Sequence, residues 1–220
     1  MFGSGMTSAL ARGRLVDKLA AQDLATPEVL EIMREVPRHV FVDEAIAHRA
    51  YDDTVLPIGF QQTISQPTIV AMMTNAAAGV ADRSRALEIG TGCGYQTTVL
   101  SRLFDEVYTV ERIEPLQLRA RRTLANLEIT NVTFKFADGY EGWPENSPFN
   151  AVIGTASAAE VPLTLCDQVA LHGRLIMPVA NPAYVGQSLV QWERTETVFR
   201  KRNLCGVRFV PMLRGVETTP

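Results

Sequence analysis

The chain has few of the residues that build disulfide frameworks and metal sites. Its 220 residues include three cysteines and three histidines: Cys93, Cys166 and Cys205, and His39, His48 and His172. An odd number of widely spaced cysteines is typical of free thiols in a reducing compartment, so we expect a cytoplasmic protein. No histidine has a cysteine or carboxylate at ligand spacing, and we therefore expect no metal site.

Long apolar runs and clusters of one charge are also missing. No window approaches the roughly 18 consecutive apolar residues that a membrane span requires. Residues 1–13 lack the apolar stretch of a signal peptide, so we expect none. The formal net charge is −3 and no long basic run occurs. Because phosphate binding needs clustered lysine and arginine, we expect neither nucleic acid nor membrane as a partner. We also expect a monomer.

What is present indicates a globular enzyme-sized domain. Hydrophobic residues make up 46% of the chain and charged residues 20%, which is enough apolar material for a buried core. The length fits one domain over residues 1–220. Within it we expect helices and loops over residues 7–80, a ligand-binding core over 84–180, and further strands over 187–215.

The middle of the chain alternates short apolar runs with amphipathic helices. The runs, which we predict to be strands, cover residues 86–89, 107–110, 132–136, 151–153 and 175–179. Strands alternating with helices form right-handed βαβ units and a mostly parallel sheet. The fold class is therefore α/β and doubly wound, with N-terminal helices that begin at Pro27 and Pro67. The strand-like tail adds antiparallel strands at one edge.

A glycine-rich turn directly follows the first of these strands and opens a helix. Its sequence is Gly90-Thr91-Gly92-Cys93-Gly94. Glycines let the backbone turn sharply and approach a ligand, and a helix N-terminus offers free N–H groups. A dinucleotide fold would show G-x-G-x-x-G, but here the third glycine comes one residue early and Tyr95 takes its place. The spacing resembles the nucleoside-binding turn of class I methyltransferases; the alternative is a tight turn without a ligand.

Acidic residues lie at the ends of the neighbouring strands. Glu111, which precedes Arg112, ends the second strand, where a carboxylate can accept both hydroxyls of a ribose. Asp138 and Gly139 end the third, where the acid or the backbone can meet an adenine amino group. Ligands of open α/β sheets bind at this edge. The alternatives are a solvated strand end for Glu111 and a turn residue for Asp138.

One further acid lies inside an otherwise apolar strand. Glu88 is flanked by Leu87 and Ile89. It is either a paired structural carboxylate or a polar anchor for the methionine end of the same ligand, and the sequence leaves both interpretations open.

One segment is diagnostic of a protein family. Its sequence is Pro57-Ile58-Gly59-Phe60-Gln61-Gln62-Thr63-Ile64-Ser65-Gln66-Pro67. It resembles the Gly-x-x-Gln-Thr-Ile-Ser-Gln-Pro segment of protein-L-isoaspartate O-methyltransferases. Further matches lie on either side of this segment in the order of the family, and the resemblance runs roughly from Val29 to Gly215. The upstream matches are Val36-Pro37-Arg38-His39-Val40-Phe41-Val42 and Ala50-Tyr51. The downstream matches are Leu87-Glu88-Ile89-Gly90-Thr91-Gly92, Val107-Tyr108-Thr109-Val110-Glu111-Arg112, Asp138-Gly139, Gly142-Trp143-Pro144 and Val207-Arg208-Phe209-Val210-Pro211.

The resemblance implies a fold, a reaction and a set of site residues. The fold is the Rossmann-like fold of class I methyltransferases. The cofactor is S-adenosyl-L-methionine, with S-adenosyl-L-homocysteine as product, and the partners are isoaspartyl-containing proteins and peptides. The methyl ester formed on the isoaspartyl α-carboxylate closes to a succinimide, which reopens in part to normal aspartate. Ser65 matches the active-site serine. The implied cofactor-binding residues are Gln62, Thr63, Ile64, Ser65, Glu88, Gly90, Thr91, Gly92, Gly94, Glu111, Arg112, Asp138 and Gly139, and the substrate is expected beside Ile58, Gly59, Thr155 and Ala156.

The chain departs from the family pattern at four positions. Gln61 stands where many bacterial members have glycine, Cys93 replaces a common serine and Ala137 replaces a glycine. Gly154 replaces a branched residue beside the expected substrate site. The alternative that stays open is a peptide-tailoring carboxyl methyltransferase that acts on aspartyl residues of a dedicated partner peptide. Ser65 has an alternative of its own, as the cap of the helix that begins at Pro67.

Overall fold

The computed structural model describes residues 5–181 and 186–218, with side chains from residue 8 onward. The ends of the expected domain, residues 1–4 and 219–220, lie outside the described residues, as do residues 182–185. No helix in the described part of the chain is long and apolar enough to cross a membrane.

A seven-stranded sheet forms the centre of the molecule, in the order β5-β4-β3-β6-β7-β8-β9. The first five strands of that order are parallel to one another, and β8 and β9 are antiparallel additions at one edge. The doubly wound fold and its antiparallel edge are thus confirmed. The strands are β3 (Arg85–Ile89), β4 (Glu106–Glu111), β5 (Val132–Phe136), β6 (Phe149–Gly154), β7 (Val169–Ala180), β8 (Gln187–Arg194) and β9 (Phe199–Val207).

The central strands β3, β4 and β6 are buried on both faces because most of their residues are apolar. Along β6, Ala151 and Ile153 pack into one apolar cluster while Val152 packs into the other. The crossover helices α4 (Tyr95–Ser101) and α5 (Glu114–Asn126) lie between consecutive parallel strands, as right-handed βαβ units require. A short helix, α6 (Leu163–Asp167), precedes β7.

The N-terminal part contains three helices: α1 (Gly5–Ala20), α2 (Pro27–Glu35) and α3 (Pro67–Ala78). Thr26 caps α2, since its side chain accepts a hydrogen bond from the Val29 N–H. The alternative that Ser65 caps α3 is wrong, because no cap-residue side chain bonds to that helix end. Asp53 does so instead, accepting bonds from the Thr68 N–H at 2.9 Å and the Thr68 hydroxyl at 2.6 Å.

A hairpin joins the N-terminal helices to the sheet. Strands β1 (Leu56–Gly59) and β2 (Gln62–Ile64) pair antiparallel, where the sequence analysis predicted only helices and loops. Its two turn residues, Phe60 and Gln61, have φ values of 52° and 56°. Few residues other than glycine, asparagine and aspartate adopt this left-handed region, so the hairpin tip is a strained turn.

Candidate active site

A cavity that is partly open to solvent, with about 880 Å³ of space including that opening, lies at the carboxyl ends of β3 and β4. The glycine turn forms its floor and the β1–β2 hairpin covers one side. The predicted site residues that line this cavity are Ile58, Gln62, Thr63, Ile64, Ser65, Gly90, Thr91, Gly92, Glu111, Arg112, Gly139, Thr155 and Ala156. The sequence therefore predicted many of the residues that line the cavity. Four predicted residues do not line it: Gly59, Glu88, Gly94 and Asp138.

The glycine turn is shaped by backbone conformations that side chains would prevent. Gly90, Gly92 and Gly94 all have positive φ, at 93°, 55° and 91°. A Cβ on Gly90 would stand 2.3 Å from the Thr155 hydroxyl oxygen, which donates to the backbone carbonyl of Gly90 at 2.7 Å. The turn and the end of β6 are thus in close contact, and the space above Gly90 and Gly92 stays open to the cavity.

Glu111 lies at the base of the cavity and organises the backbone around it. Its side chain is only 5% exposed, so the alternative of a solvated strand end is wrong. The carboxylate accepts hydrogen bonds from the N–H groups of Gly92 at 2.8 Å, Arg112 at 2.8 Å and Ile113 at 2.9 Å. Burial raises the pKa of Glu111, and the three N–H donors oppose that rise. Oε1 accepts two of these bonds and Oε2 one, so Oε2 retains acceptor capacity for a ligand hydroxyl.

Glu88 lies beneath the turn and away from the cavity wall. It is completely buried, and its Oε2 accepts bonds from the hydroxyls of Thr97 and Thr109. Thr109 in turn shares a 2.6 Å hydrogen bond with Thr91 of the glycine turn. Desolvation raises the pKa of Glu88 to about 8. These contacts favour the interpretation of Glu88 as a structural carboxylate that supports the turn.

Asp138 faces the C-terminal segment. Its carboxylate accepts from the Tyr140 N–H at 2.8 Å and from the Gly215 N–H at 2.7 Å. Gly139 lines the cavity in its place, and a Cβ there would approach the Ile89 side chain to 2.6 Å. At this strand end the backbone, rather than the acid, borders the cavity.

Ser65 lies where the cavity meets a second, wider groove. Thr63, Thr155, Val210 and Pro211 also border both spaces. The Ser65 backbone is held by Arg38, which is 1% exposed and donates from Nη2 to the Ser65 carbonyl oxygen at 2.7 Å. Across the cavity, Arg119 of α5 donates to the carbonyl oxygen of Ile58 at 2.6 Å and fixes the hairpin.

Some residues of the site were not predicted. Residues 210–213 line the cavity although they follow the last strand, and the backbone of this segment bonds to Ser157 through Val210 and Met212. Residues 207–211 belong to the segments that resemble the family, but no role followed from their sequence. Arg38 also lies in a segment that resembles the family, but its role could not be predicted because only the folded chain brings it to Ser65.

The sheet order and the glycine turn at the end of β3 define the Rossmann-like fold of the class I methyltransferases. The chain belongs to the protein-L-isoaspartate(D-aspartate) O-methyltransferase family, whose sequence profile matches residues 11–217. The resemblance in the sequence, which began near Val29, is confirmed and extends further toward the N-terminus.

Individual relatives agree with this assignment. The chain is 50% identical over 210 residues to a protein-L-isoaspartate O-methyltransferase of Pseudomonas paraeruginosa, covering 96% of this chain and 99% of that protein. A solved structure of a protein-L-isoaspartate O-methyltransferase has a TM-score of 0.82 at 28% identity, over 91% of this chain and 65% of that one. A Plasmodium falciparum protein, described as a putative member and solved with S-adenosyl-L-homocysteine, has a TM-score of 0.81 at 25% identity, over 92% of this chain and 98% of that one.

Proposed function

We propose that the chain transfers a methyl group from S-adenosyl-L-methionine to the free α-carboxylate of L-isoaspartyl residues in damaged proteins and peptides. One observation carries the proposal: Ser65 lines both the cavity beside the glycine turn and the wider groove next to it. A transferase for a macromolecular acceptor needs such a junction, with the donor on one side and the acceptor on the other.

The cavity residues fit the cofactor. S-adenosyl-L-methionine supplies, when bound, an electrophilic methyl group on a sulfonium. Glu111 is buried at the cavity floor and can accept a ribose hydroxyl at Oε2, and the backbone of Gly90 and Gly92 borders the part of the cavity proposed for the amino-acid portion. Gly139 and the segment of residues 210–213 enclose the remaining side, which is the expected place of the adenine.

The acceptor needs no general base. An α-carboxyl group has a pKa of about 3.5, so it is ionised at neutral pH. This chemistry fits a site in which Ser65, Thr63 and Thr155 are the hydroxyl groups at the junction of the two spaces. We assign Ser65 the role of orienting the carboxylate by a hydrogen bond, so that one oxygen lies in line with the methyl carbon and sulfur. Arg38 keeps Ser65 in place through its backbone.

The groove fits an extended peptide that binds by its backbone. It is lined by small and neutral residues along one wall, including Ser157, Ala158 and Ala159, and by residues 206–211 along the other. Ile58 and Gly59 of the hairpin and Thr155 with Ala156 are proposed to flank the isoaspartyl residue. The peptide-tailoring alternative is not favoured, since the relatives that match nearly the whole chain carry the repair-enzyme name.

The remaining expectations belong to the same proposal. We expect a cytoplasmic monomer that acts on isoaspartyl proteins and peptides and uses neither nucleic acid nor membranes as partners. The negative net charge and the three free cysteines support this expectation. The expectation that no metal takes part stays a prediction.

The experiment that tests the proposal combines ligand binding with product analysis. S-adenosyl-L-homocysteine should bind in calorimetry and raise the melting temperature by mass action, and NAD should do neither. An isoaspartyl peptide incubated with S-adenosyl-L-methionine should gain the mass of one methyl group as a base-labile ester. Binding of NAD in place of S-adenosyl-L-homocysteine, or an unmodified peptide at saturating cofactor, would overturn it.

A further inference from the structure

The groove beside Ser65 carries one charged side chain among the residues that the structure describes, and it is Arg208. The other described lining residues are neutral. The described walls of the groove therefore have a positive charge that no carboxylate among them balances.

The Arg208 guanidinium makes no hydrogen bond or ion pair within the described residues, and the residue is exposed. Other arginines of the chain are engaged: Arg34 with Asp17, Arg83 with Glu28 and Arg112 with Glu217. Arg208 is therefore available to a ligand in the groove, and it can pair with an anion without first breaking a contact.

The backbone that carries Arg208 is fixed. The Gln187 side chain accepts from the Phe209 N–H at 2.6 Å and donates to the Phe209 carbonyl oxygen at 3.2 Å. The next carbonyl, that of Val210, accepts from the Ser157 N–H at 2.8 Å. Because the backbone next to Arg208 is held, the guanidinium can reach only the part of the groove within one side-chain length of this position, so it can discriminate between positions of a bound peptide.

We infer that Arg208 is a specificity-determining residue that favours isoaspartyl substrates with an acidic side chain close to the isoaspartate. This inference rests on the proposed function. Arg208 lines the groove and not the cofactor cavity, so its partner is a flanking residue rather than the carboxylate that is methylated. Val210 and Pro211, two and three positions further on, border the junction with Ser65. At about 3.3 Å per residue in extended chain, the acidic side chain would lie within about three residues of the isoaspartate.

The test uses isoaspartyl peptides with glutamate, glutamine or lysine at each of three positions on either side. KM and kcat are measured for the wild type, for Arg208→Gln and for the charge reversal Arg208→Glu. The matched control is Arg202→Gln, since Arg202 is an exposed residue of β9 that lines neither space. Melting temperatures confirm that all variants fold, and each measurement is repeated at high ionic strength, which screens exposed charges.

For the wild type, we expect the best glutamate peptide to have a KM roughly two- to fivefold below its glutamine analogue at low ionic strength, with kcat unchanged. Arg208→Gln should remove this difference, Arg208→Glu should transfer it to the lysine peptide, and Arg202→Gln should keep it. A preference that survives in Arg208→Gln, or a wild type that methylates all peptides alike, would overturn the inference and leave the isoaspartyl activity standing. Failure to methylate any isoaspartyl peptide would overturn the proposed function and this inference together.

Discussion

Arg38 donates a hydrogen bond from Nη2 to the backbone carbonyl of Ser65, at 2.7 Å. Its Nε donates to the carbonyl of Ala50 at 2.9 Å, and its guanidinium carbon stands 4.9 Å from the centre of the Tyr95 ring. A buried cation thus ties the loop that carries the proposed active-site serine to the Ala50 backbone and to the start of α4. Burial lowers the pKa of Arg38, which nevertheless stays a cation because guanidinium groups do not deprotonate in proteins.

The first prediction concerns this contact. Arg38→Lys should lower the free energy of unfolding by about 1.5–3 kcal/mol, because a compact ammonium cannot reach both carbonyls in the fork geometry of a guanidinium. It should also lower kcat, since the Ser65 loop loses its anchor. Urea unfolding and steady-state kinetics measure the two effects. Arg49→Lys, at an exposed ion pair with Asp52, is the control and should change neither. Full activity in Arg38→Lys would show that the loop is held by other contacts.

The second prediction concerns Ser65 itself. A hydrogen bond to a charged group contributes about 1.5–3 kcal/mol, so Ser65→Ala should slow methyl transfer by roughly one to two orders of magnitude without abolishing it. The backbone bond from Arg38 is unaffected by this substitution, so the loop should keep its position. Single-turnover rates at saturating cofactor measure the effect. The control is Ser84→Ala, which should not change the rate because Ser84 precedes β3, at the end of that strand remote from the cavity. Complete loss of activity would point to a chemical role beyond orientation.

The third prediction concerns Glu111. Its removal deprives three backbone N–H groups of their acceptor, so Glu111→Ala should reduce both cofactor affinity and folding stability, each by about 1–3 kcal/mol. A 5% exposed carboxylate with three backbone donors is structural as well as ligand-binding. Calorimetry with S-adenosyl-L-homocysteine and urea unfolding separate the effects. Glu106→Ala, at the exposed start of β4, should leave cofactor affinity unchanged.

The fourth prediction concerns the pH dependence of stability. The unfolded chain ionises Glu88 near its ordinary pKa of 4.5, whereas the folded protein holds that carboxyl protonated up to a pKa of about 8. The folded state therefore binds more protons between these values, and stability should fall as pH rises through that window. A single such group contributes a slope of up to about 1.4 kcal/mol per pH unit.

The matched variant for this effect is Glu88→Gln, whose amide keeps the shape of the protonated acid and does not titrate. Its unfolding free energy between pH 5 and pH 8 should fall less steeply than that of the wild type, and the difference is measured by urea titrations across the range. Parallel curves for the two proteins would contradict a raised pKa at Glu88.

The sequence predicted the sheet and the strand ends well, because both depend on local patterns. Glu111 and Gly139 could be located at the cavity from their positions after apolar runs. The length of β7 was underestimated, since Val169–Ala180 begins with residues such as His172 and Gly173 that do not follow a strand pattern. The hairpin tip was not predictable either, because Phe60 and Gln61 are residue types that seldom adopt positive φ.

The parts of the site that could not be predicted depend on contacts between distant segments. Arg38 meets Ser65 across 27 positions, and Asp138 meets Gly215 across 77. From its place at a strand end, the sequence predicted that either Asp138 or the neighbouring backbone meets the adenine. In the structure the Asp138 carboxylate accepts a hydrogen bond from the C-terminal backbone, and Gly139 lines the cavity. The same tertiary packing places residues 210–213 on the cavity wall, where no local pattern indicates them.

The most direct test of the central claim is transfer of radiolabelled methyl from S-adenosyl-L-methionine to two peptides that differ only at one isoaspartyl or aspartyl residue. The isoaspartyl linkage adds a methylene to the main chain and presents the α-carboxylate as a short branch, so the two acids lie at different distances from the backbone that the groove holds. With the methyl group fixed in the cavity, only one of them can lie in line with it. We predict label in the isoaspartyl peptide and none above background in its aspartyl partner. Equal labelling of both peptides, or labelling of the aspartyl form alone, would contradict the repair function.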